Sequence, residues 1–167
     1  MEIMSKPPIQ KPGKSNQSVG TPENFLDATR KRLGIIDFMR DLAADHKNYV
    51  VPLYFTEADD ALQQIWYDLS GWQWLNPPYV DIYPWVQKAA IESNLGARIA
   101  VLVPAGVGTL WWNDCVSGIA HVHFLKGRIT FKGHKTAYPK DLVLLLYNRT
   151  VIGGYSIWDW RKELSTQ

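Results

Sequence analysis

Cysteine is almost missing from this sequence: Cys115 is the only one in 167 residues. A single thiol excludes an intramolecular disulfide and a cysteine-rich zinc site, and the ordinary reading of Cys115 is a small packed hydrophobe. Long apolar runs are missing too. None approaches the ~20 residues of a membrane span, and the N-terminus lacks the apolar stretch of a secretory signal, so the expected location is cytoplasmic. The formal charge is only +2, too small to announce a nucleic-acid partner by itself. There is no internal repeat.

What is present suffices for one core. With 46% apolar residues, the chain is long enough for a single cored domain and too short for two ordinary ones. Residues 1–20 are rich in Pro, Lys, Ser, Gln and Gly and read as a flexible tail. Their net charge of +2, from Lys6, Lys11 and Lys14 against Glu2, leaves the domain of residues 21–167 formally neutral. Acidic residues cluster between positions 37 and 68, whereas residues 115–140 contain none and carry Lys126, Arg128, Lys132, Lys135 and Lys140. One end of the domain is expected to be negative and another positive.

TPENFLDATRKRLG predicts a helix with Thr21 as N-cap, Pro22 at the first helical position and Gly34 as its stop; Phe25, Leu26, Ala28 and Leu33 form the buried stripe. IIDFMRDLAAD predicts a short strand that turns near Asp41. NYVVPLYFTEADDALQQIW mixes an extended piece, kept at an edge by Pro52, with a helical turn. WQWL reads as a strand ended at Asn76, residues 84–95 as a helix, and RIAVLVP as a strand covered on both faces. A short helix in GTLWWNDCVSGI, an extended pair or bent strand in HVHFLKGRITFKG, a strand in DLVLLLYN and a terminal helix or docked tail in SIWDWRKEL complete the pass. Such alternation implies an α/β sheet with helices on both faces.

Ligands of open α/β sheets bind beyond the carboxyl ends of the strands, where Asn76, Pro77, Pro78 and Tyr79 would fall. Neither proline has a backbone donor, so the loop presents carbonyl oxygens at fixed angles, and the Asn76 side chain adds an acceptor beside them. Such a loop accepts from an amino group, while Tyr79 adds a flat face for a heteroaromatic ring. The alternative is a purely structural loop. The other proline pair, Pro7 and Pro8, has no strand before it and receives no function. His121, His123 and His134 lack a ligand spacing, so no metal is assigned.

NPPY after an apolar strand resembles the catalytic motif of amino-methyltransferases. TPENFLDATRKRLG, DLAAD, YFTEADDAL, WLNPPY, PWVQKAA, VLVPA and FLKGRITF follow in the order seen in the short bacteriophage DNA N6-adenine methyltransferases, the phage Dam family. That resemblance covers residues 21–147 and implies a single Rossmann-like methyltransferase domain, with a mostly parallel sheet and S-adenosylmethionine as cofactor. Asn76, Pro77, Pro78 and Tyr79 would then be catalytic. Asp41, Leu42 and Ala43 resemble a shortened cofactor motif that holds the methionine part, although the glycine-rich turn of many methyltransferases is missing. Asp60 would accept from the cofactor's adenine amine with Leu62 packed nearby, and Thr21 and Pro22 would line its methionine end. The alternative for Asp41 is a helix or turn cap, and for Thr21 with Pro22 a helix N-cap.

Adenine's amino lone pair is delocalised into its ring, so acceptors at Asn76 and Pro77 would hydrogen-bond both amine protons and favour tetrahedral character as charge develops. A duplex base would be extruded into the pocket, with Tyr79 supporting the ring. Lys126, Arg128, Lys132, Lys135 and Lys140 are the candidate phosphate contacts on double-stranded DNA; the alternative is a solvated basic hairpin. No insertion provides a separate recognition domain, which favours a very short target or a homodimer. By resemblance the purpose is to mask phage DNA from restriction in the host cytoplasm. Two competing readings stay open: a non-catalytic nucleic-acid-binding module on the same fold, and an enzyme acting on the cytosine amine or an RNA base.

Overall fold

The computed structural model describes residues 19–150 and 153–165, so the expected tail falls outside it apart from Val19 and Gly20. Five strands, β1 (Trp72–Leu75), β2 (Arg98–Pro104), β3 (His121–Leu125), β4 (Leu142–Tyr147) and β5 (Tyr155–Trp158), form one sheet in the order β1-β2-β4-β3-β5. β1 with β2 and β3 with β5 are parallel pairs, whereas β4 is antiparallel to both of its neighbours. The sheet is therefore mixed, where a mostly parallel one was expected. The chain returns from β3 into the adjacent β4 through residues 126–141 with no crossover helix, and a strand returned that way pairs antiparallel.

Beyond β1 the sheet continues as single bridges. Asp41 pairs in parallel with Trp74 on one side and Tyr54 on the other. Leu42 N donates to the Trp74 carbonyl, and Asp41 N to that of Leu53, both at 2.9 Å. Pro52 precedes this outer piece, as a residue without an N–H must lie at a sheet margin.

Strands β2 and β4 are buried along nearly their whole length because both faces are covered. Ile99, Val101, Val103, Leu145 and Tyr147 join the core beneath α2 (Tyr83–Asn94) and α3 (Leu110–Cys115). The alternate residues Ala100, Leu102, Leu144 and Leu146 join the opposite core, beneath α1 (Glu23–Leu33) and α4 (Trp160–Ser165). Aromatic rings fill that second layer: Phe25 lies 5.2 Å from Trp160 and 5.8 Å from Trp158, centroid to centroid. Cys115 is packed in the first layer.

Helix α1 begins acidic at Glu23 and ends basic at Arg30, Lys31 and Arg32, which complements its dipole. Gly34, at φ 65°, closes it as expected. The start differs from expectation: Pro22 is the N-cap, and Thr21 is turned inward with 4% exposure. Helix α2 carries Glu92, 5% exposed, whose Oε2 accepts from the backbone N–H groups of Trp66 (2.9 Å) and Tyr67 (3.0 Å) and whose Oε1 pairs with Lys88 (2.6 Å). That carboxylate pins the segment before β1 to the helix behind it. SIWDWRKEL divides into the end of β5 and α4, because Ser156 and Trp158 turn inward while Ile157 faces out. HVHFLKGRITFKG is a strand only as far as Leu125; its remainder is an irregular loop anchored by buried Ile129 and Phe131.

Candidate active site

Three chain segments end side by side at one edge of the sheet. The bridge at Asp41 leads into Leu42 and Ala43, Tyr54 leads into Thr56, and β1 stops at Asn76. Pro77 cannot donate to the ladder, so β1 ends there by chemistry. Pro77 itself is buried, and Pro78 and Tyr79 are half-buried.

Asn76 lies where three hollows meet. The largest, about 850 Å³, is walled by Leu42, Ala43, Ala58, Asp60, Leu62 and Pro78 among others. A second, about 290 Å³, is formed by Pro78, Tyr79, Phe131, His134, Tyr138 and Pro139. A crevice of about 30 Å³ holds Thr21, Asp41, Val50 and Lys132. Asn76 and Val19 line all three.

The Asn76 carboxamide is satisfied on one edge only. Its Nδ2 donates to the Val19 carbonyl and to Thr21 Oγ1, both at 3.4 Å. Its Oδ1 is buried and has no hydrogen-bond partner among the described residues. A buried acceptor left open costs free energy of about 1–3 kcal/mol, and such groups in folded proteins call for a ligand or a functional explanation.

Tyr79 donates its hydroxyl to the Leu102 carbonyl at 3.2 Å. Its ring meets Tyr138 (5.6 Å) and Phe131 (6.4 Å) edge-on. Burial pushes the phenol well above its usual range, so it stays a neutral donor. These three rings give the smaller hollow an aromatic wall suited to a planar heterocycle.

Asp41 floors the crevice at 3% exposure and accepts from Val50 N at 3.0 Å and Ala43 N at 3.2 Å. Burial raises its carboxyl to about 6, against the lowering effect of those two N–H groups. Both bonds are those of a turn cap, and the same carboxylate faces the crevice beside Asn76. Asp60 stands on the wall of the large cleft with φ 47°, between 3₁₀ turns at Glu57–Asp59 and Ala61–Gln63. Left-handed backbone is unfavourable for a residue with a Cβ, but less so for Asp.

A family profile described as DNA N-6-adenine-methyltransferase (Dam) matches residues 11–148. The chain belongs to the Dam family. Two phage relatives named DNA N-6-adenine-methyltransferase agree: one from Escherichia phage T1, 26% identical over 110 residues, and one from Haemophilus phage HP1, 27% identical over 108 residues. Those matches take in 66% and 64% of this chain but 45% and 61% of the respective relatives, so it corresponds to only part of each.

Of the Dam-type residues anticipated from sequence, the fold brings Leu42, Ala43, Asp60, Leu62, Asn76 and Pro78 together around the large cleft, with Thr21 and Asp41 in the adjoining crevice. Pro22 lines none of these hollows and serves as the α1 cap. The basic residues all sit on or beside the loop between β3 and β4. Lys126 pairs with Asp159 (3.1 Å), Arg128 with Asp141 (3.8 Å) and Lys132 with Glu23 (3.9 Å), while Lys135 and Lys140 are exposed. The same loop supplies Phe131, His134 and Tyr138 to the smaller hollow. Sequence reasoning missed those three and Val19; the available signal was the aromatic pair Phe131 and Tyr138 set within a basic segment. His121 and His123 meet each other at 4.7 Å and Ser156 at 3.4 and 2.6 Å, away from the site. No three potential metal ligands cluster among the described residues, and no described helix is long and apolar enough to cross a membrane.

Proposed function

We propose that this chain transfers a methyl group from S-adenosylmethionine to the exocyclic amine of adenine in double-stranded DNA. The observation that carries the reading is Asn76, which lines two hollows of different size and character and whose buried Oδ1 has no hydrogen-bond partner among the described residues. The parallel run from the Asp41 bridges through β1 and β2, with hollows at its carboxyl edge, supports a Rossmann-like methyltransferase arrangement.

The large cleft fits the donor in volume and chemistry. Alanines at positions 43, 44, 58 and 61 leave room, apolar Leu42 and Leu62 offer packing, and Asp60 offers an acceptor for an amino group. The 850 Å³ lies within the usual range for a ligand of that size. When bound, S-adenosylmethionine supplies an electrophilic methyl on sulfur. Leu42, Ala43, Asp60 and Leu62 would hold it, with Asp41 next to its methionine end.

The chain's own residues then deal with the amine. Asn76 Oδ1 accepts a hydrogen bond from one amine N–H and the Pro77 carbonyl is the candidate acceptor for the other, which draws the nitrogen lone pair out of conjugation and fixes its direction. Tyr79, Phe131 and Tyr138 enclose the extruded base and exclude water. The loop that supplies Phe131 and Tyr138 to that hollow also carries Lys126, Arg128, Lys132, Lys135 and Lys140, the candidates for phosphate contact. The carboxylates of Asp45, Glu57 and Asp60 line the donor's cleft instead, keeping the polyanion off that side.

Incubation with methyl-labelled S-adenosylmethionine and, in parallel, duplex DNA or RNA, followed by nucleoside mass spectrometry, tests the reading. Label in N6-methyladenine is expected. Label confined to N4-methylcytosine or to RNA would move the substrate assignment, and absence of transfer with intact donor binding would overturn the enzymatic one.

A further inference from the structure

A carboxamide has two nearly isosteric orientations, and only one of them presents an acceptor to a substrate amine. What selects it lies in residues 19–21. The Val19 carbonyl accepts but cannot donate, so an Asn76 oxygen turned toward it would meet lone pair against lone pair. The Val19 carbonyl therefore sets the sense of the carboxamide, and buried Thr21 Oγ1, a hydroxyl able to donate or accept, adds a second contact to Nδ2 at 3.4 Å that holds it there. Both protons of Nδ2 are thereby occupied while Oδ1 has none to accept.

We propose that Thr21 is a positioning residue: with the Val19 carbonyl it grips the Nδ2 edge of Asn76, so that the oxygen edge is the one left for the amine. This rests on the methyl-transfer reading above and changes the expected role of Thr21, from lining the donor to orienting the acceptor. The grip is itself braced, because Lys132 N donates to the Gly20 carbonyl at 2.9 Å. The loop that carries the basic residues thus anchors the segment that orients Asn76.

Thr21→Val keeps the shape and removes the hydroxyl; Thr21→Ser keeps the hydroxyl; Thr21→Ala is the second variant, should the valine disturb folding. Loss of one neutral hydrogen bond predicts a single-turnover rate about ten-fold slower at saturating donor and DNA. The donor Kd, measured by calorimetry, should stay within about two-fold of wild type, and Thr21→Ser should transfer at nearly the wild-type rate. A wild-type rate in both Thr21→Val and Thr21→Ala overturns the proposal, as does a Thr21→Ser variant as slow as Thr21→Val. So does a weakened donor Kd with an unchanged rate at saturation, since that is the signature of a donor contact.

NMR of the protein without donor or DNA separates this proposal from the functional reading. One Asn76 side-chain N–H should shift and lose exchange protection in Thr21→Val while the other is retained, whatever the wild-type activity proves to be. Identical Asn76 carboxamide signals in the two proteins would refute the grip even if methyl transfer is confirmed.

Discussion

Asp41→Asn probes the electrostatics at the floor of the site. The carboxyl is 3% exposed, and burial raises it from 3.8 to about 6 despite the N–H groups of Val50 and Ala43. In the unfolded chain the group titrates near its ordinary value, so between pH ~4 and ~6 the folded protein holds a proton that the unfolded chain has released. Stability supplied by the protonated acid is complete below 3.8 and is lost as pH rises through about 6. At 1.36 kcal/mol per pH unit, the loss is about 3 kcal/mol. The D41N protein cannot titrate there, and the change in its backbone hydrogen bonds adds an offset that does not vary with pH. Urea unfolding of both proteins from pH ~4 to ~7.5 gives the wild-type minus D41N stability, which should fall by about 2 kcal/mol, the rest being lost below pH ~4, and then level off near pH 7. A difference that stays flat across this window, or rises with pH, would refute the burial argument.

Other perturbations act on separate parts of the molecule. Lys135→Gln combined with Lys140→Gln removes two exposed charges, and if each contacts a phosphate, the slope of log binding against log salt should shrink by about 0.9 per lysine. Fluorescence anisotropy across a salt series measures it, and an unchanged slope removes these residues from the DNA contact set. Glu92→Gln leaves one oxygen to serve Trp66 N and Tyr67 N and turns an amide toward Lys88, or the reverse. Breaking that buried pair should cost about 3 kcal/mol in denaturant unfolding; a cost below about 1 kcal/mol would show that Glu92 is not the brace described.

Much of the architecture was legible where the chain advertises it. RIAVLVP and DLVLLLYN are short apolar runs buried on both faces, and the Gly34 stop ends a helix with a clear buried stripe. The reversal of β4 was not legible, because direction depends on where residues 126–141 take the chain, and their turns at Gly127 and Gly133 fit a loop or a hairpin equally well. β5 escaped because YSIW has four residues, two of them large and facing out at 75% and 76% exposure for Tyr155 and Ile157, so no apolar stripe marks it. Within the site, Asn76 to Tyr79 stood out through proline chemistry. Val19 did not: a polar surrounding composition hid a residue whose backbone carbonyl, not its side chain, makes the contact.

The central claim is that the unpartnered oxygen of Asn76 accepts from the substrate amine. Its most direct test is single-turnover methyl transfer by Asn76→Ala, with donor binding and urea unfolding measured on the same sample. The account predicts a rate lower by about 100-fold or more, the scale set by removing one preorganised transition-state hydrogen-bonding group, with the fold and most of the donor affinity retained. Turnover at the wild-type rate in that variant would contradict it.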